Sequence, residues 1–231
     1  MSQRKSGFER KERDLYETPE WVTRALERHL PRRPAAIWEP ACASGQMVRA
    51  LEAGGAYVLG TDIDPGGCDF LGASLPEGKP WDAIITNPPY ELARQFCEHA
   101  LRLMEPVGGM VAMLLRTDFD HANSRSHLFR DCPALAKKLV LMKRIVWFVE
   151  ANGKPKAAPS FNHAWYVWDW RHEGPPTIAY GPTSIAPELA VDTAQKQRGP
   201  LQRVGAEGRA RKSAQRRGVS LYSRDRADRA L

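Results

Sequence analysis

The chain has 231 residues, of which 42% are hydrophobic, and it carries a formal net charge of +7. This length can bury one substantial core, and the sequence has no apolar run of the length that a membrane span needs. The N-terminus is charged and lacks the apolar stretch that a secretory signal requires. We therefore expect a globular, cytoplasmic protein with no membrane partner.

Cysteine and histidine are too scattered to indicate a disulfide framework or a metal centre. The four cysteines have no paired spacing, and the six histidines form no ligand pattern with them. We predict reduced thiols and no bound metal. The cysteines are Cys42, Cys68, Cys97 and Cys132.

The positive charge is concentrated near the C-terminal end of the sequence. Residues 192–231 contain eleven Lys or Arg against four Asp or Glu, so this segment alone carries +7. It follows a Pro-rich stretch and has few large apolar residues, which predicts a linker and a flexible basic arm over residues 173–231. Such arms commonly bind nucleic acid by neutralising phosphates, although a basic run can also serve only to keep a protein in solution.

Helix and strand signals alternate through the first half of the chain. Thr18 can cap a helix that has Pro19 at its first position, and apolar residues then recur at helical spacing as far as Leu30. The predicted elements that follow are a strand over 36–39, a helix over 46–53 and a strand over 56–61.

The second half continues this alternation. The predicted elements are a buried strand over 81–86, a helix over 91–104, a strand over 110–115 and two aromatic runs over 144–148 and 163–168. No convincing helix separates the aromatic runs, so we interpret them as an antiparallel hairpin. Strands with nearly continuous apolar character that alternate with helices predict an α/β fold with a doubly wound, mostly parallel sheet and an antiparallel hairpin at one end.

The most informative segment is Asn87-Pro88-Pro89-Tyr90, which follows the strand over 81–86 directly. An amine conjugated to a ring or a carbonyl is a poor nucleophile, because its lone pair is delocalised. The Asn87 amide oxygen and the Pro88 carbonyl can accept both N–H bonds of such an amine and aim its lone pair. The prolines restrict the turn, and Tyr90 offers a ring for a planar substrate. The alternative is an ordinary strand end closed by an Asn-Pro turn.

Four further motifs precede this segment. They are Tyr16-Glu17-Thr18-Pro19, Trp38-Glu39-Pro40-Ala41-Cys42-Ala43-Ser44-Gly45, Thr61-Asp62-Ile63-Asp64-Pro65 and Asp69-Phe70-Leu71. With these motifs in this order, the chain resembles the S-adenosylmethionine-dependent amino-methyltransferases, most closely the adenine-N6 DNA methyltransferases. The resemblance is strong over residues 15–90. It implies a Rossmann-like class I methyltransferase domain over 15–172, after a basic N-terminal lead over 1–14.

The resemblance also implies a site for S-adenosylmethionine at the C-terminal ends of the strands. Asp62 would accept the ribose hydroxyls, Asp69 would bind the adenine amino group, and Phe70 would pack on the adenine ring. Asp62 could instead cap a turn, and Phe70 could be an ordinary core residue.

The remaining cofactor residues lie nearer the N-terminus. Thr18 and Pro19 would line the methionine end, and Glu39 would contact the cofactor amine or orient the loop that follows it. Small residues in that loop would let the backbone approach the ligand. The full implied set is Thr18, Pro19, Glu39, Pro40, Ala41, Cys42, Gly45, Asp62, Ile63, Asp69, Phe70 and Asn87.

For the acceptor, the resemblance implies direct methyl transfer to an amine held at Asn87, with Pro88, Pro89 and Tyr90 completing the catalytic motif. An adenine of DNA would leave the helix, with Tyr90 on one face and a second aromatic side chain on the other. The candidates for this second side chain are Trp147 and Phe148, although aromatic residues on strands more commonly belong to the core. Arg116, near a strand end, could contact a phosphate or simply pair with an acidic residue.

Two departures from the resembled family affect these expectations. Only six residues separate Asp62 from Asp69, too few for the usual helix and strand, so we expect the sheet to have lost a helix there. Only 61 residues follow position 170, which provides no separate recognition domain and leaves room for a homodimer. The competing functions are RNA adenine-N6 methylation, protein glutamine methylation, and nucleic-acid binding by a non-catalytic protein that retains the fold.

Overall fold

The computed structural model describes residues 16–64, 67–147 and 161–182. Within these ranges the chain forms three α-helices, seven strands and several short 3-10 turns. The helices are α1 (Glu20–Glu27), α2 (Gln46–Ala53) and α3 (Ala93–Met104). The strands are β1 (Ala36–Glu39), β2 (Tyr57–Gly60), β3 (Ala83–Thr86), β4 (Met110–Arg116), β5 (Leu135–Val140), β6 (His163–Asp169) and β7 (Thr177–Tyr180). None of the described helices has the length and apolar character needed to cross a membrane.

All seven strands belong to one sheet, in the order β2-β1-β3-β4-β6-β5-β7. Strands β2, β1, β3 and β4 are parallel, β6 is antiparallel to both of its neighbours, and β7 is parallel to β5. Because only β6 is reversed, the other six strands end at one edge of the sheet, and β6 begins there. We call this the C-terminal edge. The predicted α/β class, with a mostly parallel sheet and antiparallel pairing toward one end, is confirmed.

The two faces of the sheet carry separate apolar layers. Successive strand residues point to opposite faces, so Trp38 and Ile84 pack in the layer that includes α3, whereas Ile37 and Ile85 pack in the layer that includes α1 and α2. Residues of β1 and β3 are therefore buried on both faces, which explains why these strands appear as continuous apolar runs in the sequence.

The antiparallel pairing differs in its strands from the predicted hairpin. The described residues of the first aromatic run, 144–147, are not a strand, and the strands that pair with β6 are β4 and β5. Two lysines obscure the apolar pattern of β5. Lys137 Nζ donates to the carbonyl of His29, and Lys138 Nζ contacts the carboxylate of Asp120 at 2.6 Å. The last strand, β7, was not predicted, and it lies beyond residue 172, where we expected the linker to begin.

The starts of two helices also differ from the predictions. Pro19, and not Thr18, is the residue that precedes the first turn of α1, and no side chain caps this helix. Thr18 is instead buried. A 3-10 turn over Tyr90–Leu92 comes before α3, so the helix itself begins at Ala93 and not near residue 91.

The segment between β2 and β3 confirms the expected loss of a helix. In its described part, residues 61–64 and 67–82, the only regular element is a 3-10 turn at Phe70–Gly72, and β2 is the edge strand on this side of the sheet. Because this segment contributes no strand to the sheet, side-chain contacts hold it in position. The ring of Phe70 packs on Trp38, and the His99 ring bonds through Nε2 to the carbonyl of Ala73 at 2.9 Å. The carboxylate of Asp82 accepts hydrogen bonds from the backbone N–H groups of Ala35 and Ala36, at the start of β1.

Candidate active site

The predicted motifs meet at the C-terminal edge, at the point where the sheet changes direction. From β1 the chain passes to β2 on one side, and it then crosses to β3 on the other side. In open α/β sheets this arrangement leaves a crevice beyond the ends of the two strands where the direction changes, here β1 and β3. The loop over 40–45 follows β1, Asp62 follows β2, and Asn87 follows β3.

The loop over 40–45 is tightly wound against the end of β2. Ala43 has φ +46° and Gly45 has φ +78°, and the Gly45 N–H donates to the carbonyl of Cys42 at 2.7 Å. A Cβ added at Gly60 would lie 2.7 Å from Val48 Cγ2 and 3.2 Å from Cys42 Cβ. Glycine at position 60 therefore permits the loop and the first turn of α2 to approach the neighbouring strand.

Two carboxylates lie next to this loop, Glu39 at the end of β1 and Asp62 after β2. Asp62 Oδ2 accepts from the N–H of Ala43 at 2.8 Å, so Asp62 stabilises the left-handed turn. Glu39 is only 2% exposed, and its Oε2 has no hydrogen-bond partner. Burial raises the pKa of Glu39 well above its usual range, and the nearby charge of Asp62 raises it further, against a hydrogen bond from the Val48 backbone. This buried carboxyl oxygen is suited to a cation that enters the crevice.

The adenine-binding residues implied by the resemblance differ in their exposure. Asp69 is exposed, and its Oδ1 accepts from the N–H of Leu71 at the start of the 3-10 turn. Phe70 is only 2% exposed, and its ring packs between Phe96 and the edge of His99, with centroids 4.8 Å away in both cases. This packing favours the alternative that Phe70 is a core residue, and its contact with a cofactor stays a prediction.

Asn87 is held by the segment that precedes α1. Its Nδ2 donates to the main-chain carbonyl of Tyr16 at 3.0 Å, while its Oδ1 is buried and has no hydrogen-bond partner. An amide cannot turn its oxygen toward another carbonyl oxygen without repulsion, so this contact fixes the orientation of the side chain. The result is an acceptor with a free lone pair at the end of β3, where the sequence predicts an amine-binding group.

Four aromatic rings form a closed cycle beside Asn87. Tyr16 lies 5.6 Å from Tyr90 and 5.4 Å from Trp147, and His163 lies 5.2 Å from Trp147 and 6.2 Å from Tyr90, all measured between ring centroids. We call these residues the aromatic quartet. Tyr90 Oη and His163 Nε2 are 2.8 Å apart, which is a hydrogen bond. The structure thus brings the predicted Tyr90 and Trp147 together with two residues that were not predicted as acceptor contacts.

The sequence places Tyr16 in a recognisable motif, whereas no pattern in the sequence marks His163. Tyr16 opens one of the motifs that carry the resemblance, but the sequence assigns it no contact of its own. His163 stands at the start of an aromatic strand, and no local spacing distinguishes it from a core histidine. Burial lowers the pKa of His163 to about 4, and Arg116 lowers it as well, so the imidazole is neutral at physiological pH.

Arg116 has partners that account for its position without a substrate. It forms two hydrogen bonds with the carboxylate of Asp118, at 3.1 and 2.8 Å, and its guanidinium lies over the ring of Phe161 at 4.2 Å. This favours pairing with an acidic residue, the alternative noted for Arg116. Phe148, the second aromatic candidate, lies outside the described residues.

Other predicted cofactor residues lie along the same crevice, and their burial is the main observation about them. Thr18 is buried two residues after Tyr16, Pro19 is half-buried, and Ile63 is 57% exposed beside Asp62. The cysteines are free thiols, and within the described ranges no three His, Cys, Asp or Glu side chains converge as metal ligands.

Comparison with solved structures shows that the fold is that of the class I methyltransferases. No protein-family model and no curated protein matches the sequence. A structure described as a class I S-adenosylmethionine-dependent methyltransferase from Listeria monocytogenes matches with a TM-score of 0.51 and 16% identity, over 78% of this chain and 70% of that one.

Two other solved structures match more loosely. A TehB-like methyltransferase from Corynebacterium glutamicum has a TM-score of 0.43 and 18% identity, over 66% of this chain and 88% of that one. A modification subunit described for a type I restriction enzyme of Vibrio vulnificus has a TM-score of 0.44 and 14% identity, over 67% of this chain and 44% of that one. At 16% identity the match to the Listeria structure shows the fold alone and leaves the acceptor open.

Proposed function

We propose that this protein transfers a methyl group from S-adenosylmethionine to an exocyclic amine, and that the acceptor is N6 of adenine in DNA. The observation that carries the proposal is the buried, unpartnered Oδ1 of Asn87 beside the aromatic quartet. A hydrogen-bond acceptor in such a place needs a donor, and an amine on a planar ring supplies both the donor and a surface for the aromatic side chains.

The residues at the crevice fit the cofactor. The unpartnered Oε2 of Glu39 is suited to the ammonium of the methionine moiety, and the tight turn at Ala43 and Gly45 lets the backbone approach a ligand. Asp62 would hold the ribose hydroxyls, and Asp69 would hold the adenine amino group. When bound, S-adenosylmethionine supplies a methyl on a sulfonium, whose C–S bond breaks as the acceptor nitrogen forms its C–N bond.

Asn87 and Pro88 would act on the acceptor nitrogen. Hydrogen bonds from that nitrogen to Asn87 Oδ1 and to the Pro88 carbonyl favour a pyramidal geometry, which returns the lone pair to the nitrogen. The same oxygens stabilise the positive charge that develops there. The methylated nitrogen then loses a proton to water, so the site needs no strong general base. Orientation of the acceptor accounts for most of the contribution of the protein.

The aromatic quartet supports a nucleic-acid base as the acceptor. An adenine in a duplex must leave the stack to reach Asn87, and base–aromatic stacking offsets part of the energy of unstacking. Tyr90 would cover one face of the base and Trp147 the other. An aliphatic glutamine amide gains much less from such walls, so we favour a base over a protein acceptor.

RNA adenine offers the same base edge and remains the main alternative acceptor. The basic segment over 192–231 suits either nucleic acid, because it would contact phosphates without reading sequence. A homodimer that encloses the nucleic acid also stays a prediction, and sedimentation of the protein with and without oligonucleotide would test it.

The test is transfer of label from S-adenosylmethionine to a panel of single-stranded DNA, duplex DNA, RNA and protein, followed by digestion to the modified nucleoside or residue. We expect N6-methyladenine from DNA. The Asn87→Ala variant should lose transfer and keep its cofactor affinity, whereas Asn123→Ala, at an exposed site, should behave as the wild type. Label in glutamine, or full activity of Asn87→Ala, would contradict the proposal.

Titration with S-adenosylmethionine separates the enzyme from a non-catalytic nucleic-acid-binding protein. We expect saturable binding that the Asp62→Ala variant weakens, because the carboxylate both fixes the loop at Ala43 and faces the predicted ribose site. Nucleic-acid binding without any affinity for the cofactor would support the non-catalytic alternative.

A further inference from the structure

His163 occupies the first position of β6, at the C-terminal edge of the sheet. It lies opposite Arg116 in the register of β4 and β6, and its carbonyl accepts from the N–H of Leu141 at 3.1 Å. The side chain is only 1% exposed. Backbone pairing on both sides therefore fixes the position of this residue, and its ring can serve as a rigid support for neighbouring groups.

The imidazole of His163 is directed at the motif over 87–90. Its Nε2 lies 2.8 Å from the hydroxyl of Tyr90, a normal hydrogen-bond distance for residues 73 positions apart in the chain. Tyr90 is the first residue of a 3-10 turn. The hydrogen bond at the far end of its ring restricts rotation of the side chain.

The same imidazole also contacts the other side of the quartet. Its ring meets Trp147 in an edge-to-face arrangement, with an interplanar angle of 82°. Trp147 in turn meets Tyr16 at 61°, and Tyr16 meets Tyr90 at 53°. His163 is thus the only member of the quartet on a strand of the sheet, and it touches both proposed walls of the acceptor site.

The charge state of His163 suits this position. Burial is the main cause that lowers its pKa to about 4, and the other facing charges are Arg116, which lowers it, and Asp118, which raises it. A neutral imidazole can exchange one hydrogen bond with Tyr90 without placing a cation beside a nitrogen that gains positive charge during methyl transfer.

We propose that His163 is a positioning residue that holds the ring of Tyr90 in the orientation that stacks on the acceptor base. This inference rests on the proposed function, because it concerns the acceptor end of the same site. His163 does not touch the reacting atoms. It acts through Tyr90, and its contribution is to binding of the base in both the ground state and the transition state.

The test compares His163→Phe and Tyr90→Phe with the wild type, using pooled adenine-containing single-stranded oligodeoxynucleotides and labelled S-adenosylmethionine. His163→Phe keeps an aromatic ring against Trp147 and removes the bond to Tyr90. We expect KM for the oligonucleotide to rise about 3- to 10-fold, with kcat within about twofold and an unchanged cofactor Kd, because one neutral hydrogen bond is lost from uniform binding. Tyr90→Phe should give the same change, and the double variant should be no worse than the more affected single variant.

Two further variants separate positioning from a general structural role. His163→Gln places an amide near the position of Nε2, and we expect it to recover most of the KM. His127→Phe alters an exposed histidine that pairs with Glu98, and we expect no change. Effects of His163→Phe and Tyr90→Phe that multiply in the double variant, or an unchanged KM in Tyr90→Phe, would overturn the proposal even if His163→Phe folds poorly.

Failure of the proposed function would give a different result. In that case the wild type would transfer no methyl label to any oligonucleotide. Binding would then be measured in place of turnover, by fluorescence anisotropy of a dye-labelled single-stranded oligodeoxynucleotide. We expect the same 3- to 10-fold weakening of binding in His163→Phe and Tyr90→Phe. Equal affinity of wild type and both variants would overturn the role of His163 independently of catalysis.

Discussion

The side-chain amide of Asn87 donates from Nδ2 to the main-chain carbonyl of Tyr16 at 3.0 Å, across 71 positions of sequence. This one contact determines which end of the amide faces the crevice. With the nitrogen engaged, Oδ1 is the group left to accept a hydrogen bond from a ligand. The segment before α1 therefore belongs to the proposed catalytic site as much as the motif over 87–90 does.

Replacing Asn87 with Asp should test this orientation. The variant keeps the size of the side chain but presents an oxygen to the Tyr16 carbonyl, so the carboxylate is repelled and the acceptor geometry is lost. We expect kcat to fall about 10²- to 10³-fold, as for loss of an oriented polar group at a reacting centre, with cofactor Kd within about twofold. Steady-state kinetics and calorimetric titration measure both quantities. Asn123→Asp provides the control, and retention of more than a tenth of the activity would refute the prediction.

The buried Glu39 should make stability and cofactor affinity depend on pH. A carboxyl whose pKa is higher in the folded than in the unfolded state favours folding at pH below its unfolded pKa, and this contribution disappears as pH rises through the folded pKa. The Tm of the cofactor-free protein should therefore fall as pH rises through the raised pKa of Glu39. In Glu39→Gln this part of the pH dependence should vanish.

Cofactor affinity should change with pH in the opposite direction to the Tm of the cofactor-free protein if the cofactor ammonium binds Glu39. A cation favours the ionised carboxyl, so the affinity for S-adenosylmethionine should rise with pH over the range in which Glu39 ionises. Calorimetric titrations at several pH values, on wild type and Glu39→Gln, would measure the difference. The same pH dependence in both proteins would exclude Glu39 as the ammonium partner.

Gly60 should be intolerant of a methyl group. In Gly60→Ala the new Cβ would lie 2.7 Å from Val48 Cγ2, so the start of α2 would have to shift. We expect a loss of about 1–3 kcal/mol in the free energy of unfolding, as for overpacked sites, together with weaker cofactor binding. Gly72→Ala is the matched control, because nothing lies within 4 Å of a Cβ at Gly72. Denaturant unfolding of both variants gives the comparison, and equal stabilities would show that the loop adapts freely.

Phe70 offers a choice between core and cofactor roles. If its ring only packs against Trp38, Phe96 and His99, then Phe70→Leu should lower the free energy of unfolding by about 1 kcal/mol or more and leave the cofactor Kd nearly unchanged. Chemical denaturation and cofactor titration of this variant decide between the roles. A large rise in Kd without loss of stability would restore the stacking role that the resemblance implies.

Removal of residues 192–231 should weaken nucleic-acid binding and flatten its dependence on salt. The segment carries eleven Lys or Arg, and each phosphate contact that is lost reduces the slope of log K against log salt. Binding of an oligodeoxynucleotide at several salt concentrations would measure the slope. An unchanged slope would indicate that the basic run serves only solubility.

The sequence by itself determined the parts of this protein that depend on neighbouring residues. The bounds of α2 and β1 were predicted as they occur, because amphipathic spacing and apolar runs are local signals. The order of the motifs, together with the short link between Asp62 and Asp69, was sufficient to indicate the fold class and the missing helix. Where the signal was diluted, as in β5 with its two lysines, the strand was not found.

Only the tertiary structure decided how the candidate site is completed. Tyr16 reaches Asn87 and His163 reaches Tyr90 across more than seventy positions each. The contact between His163 and Tyr90 exists because β3, β4 and β6 are neighbours in the sheet, with β6 reversed so that its first residue lies where the others end. The contact between Tyr16 and Asn87 joins the segment before α1 to the residue that follows β3. Strand order is a property of the whole chain, set by packing on both faces of the sheet, and no local spacing of residues records it.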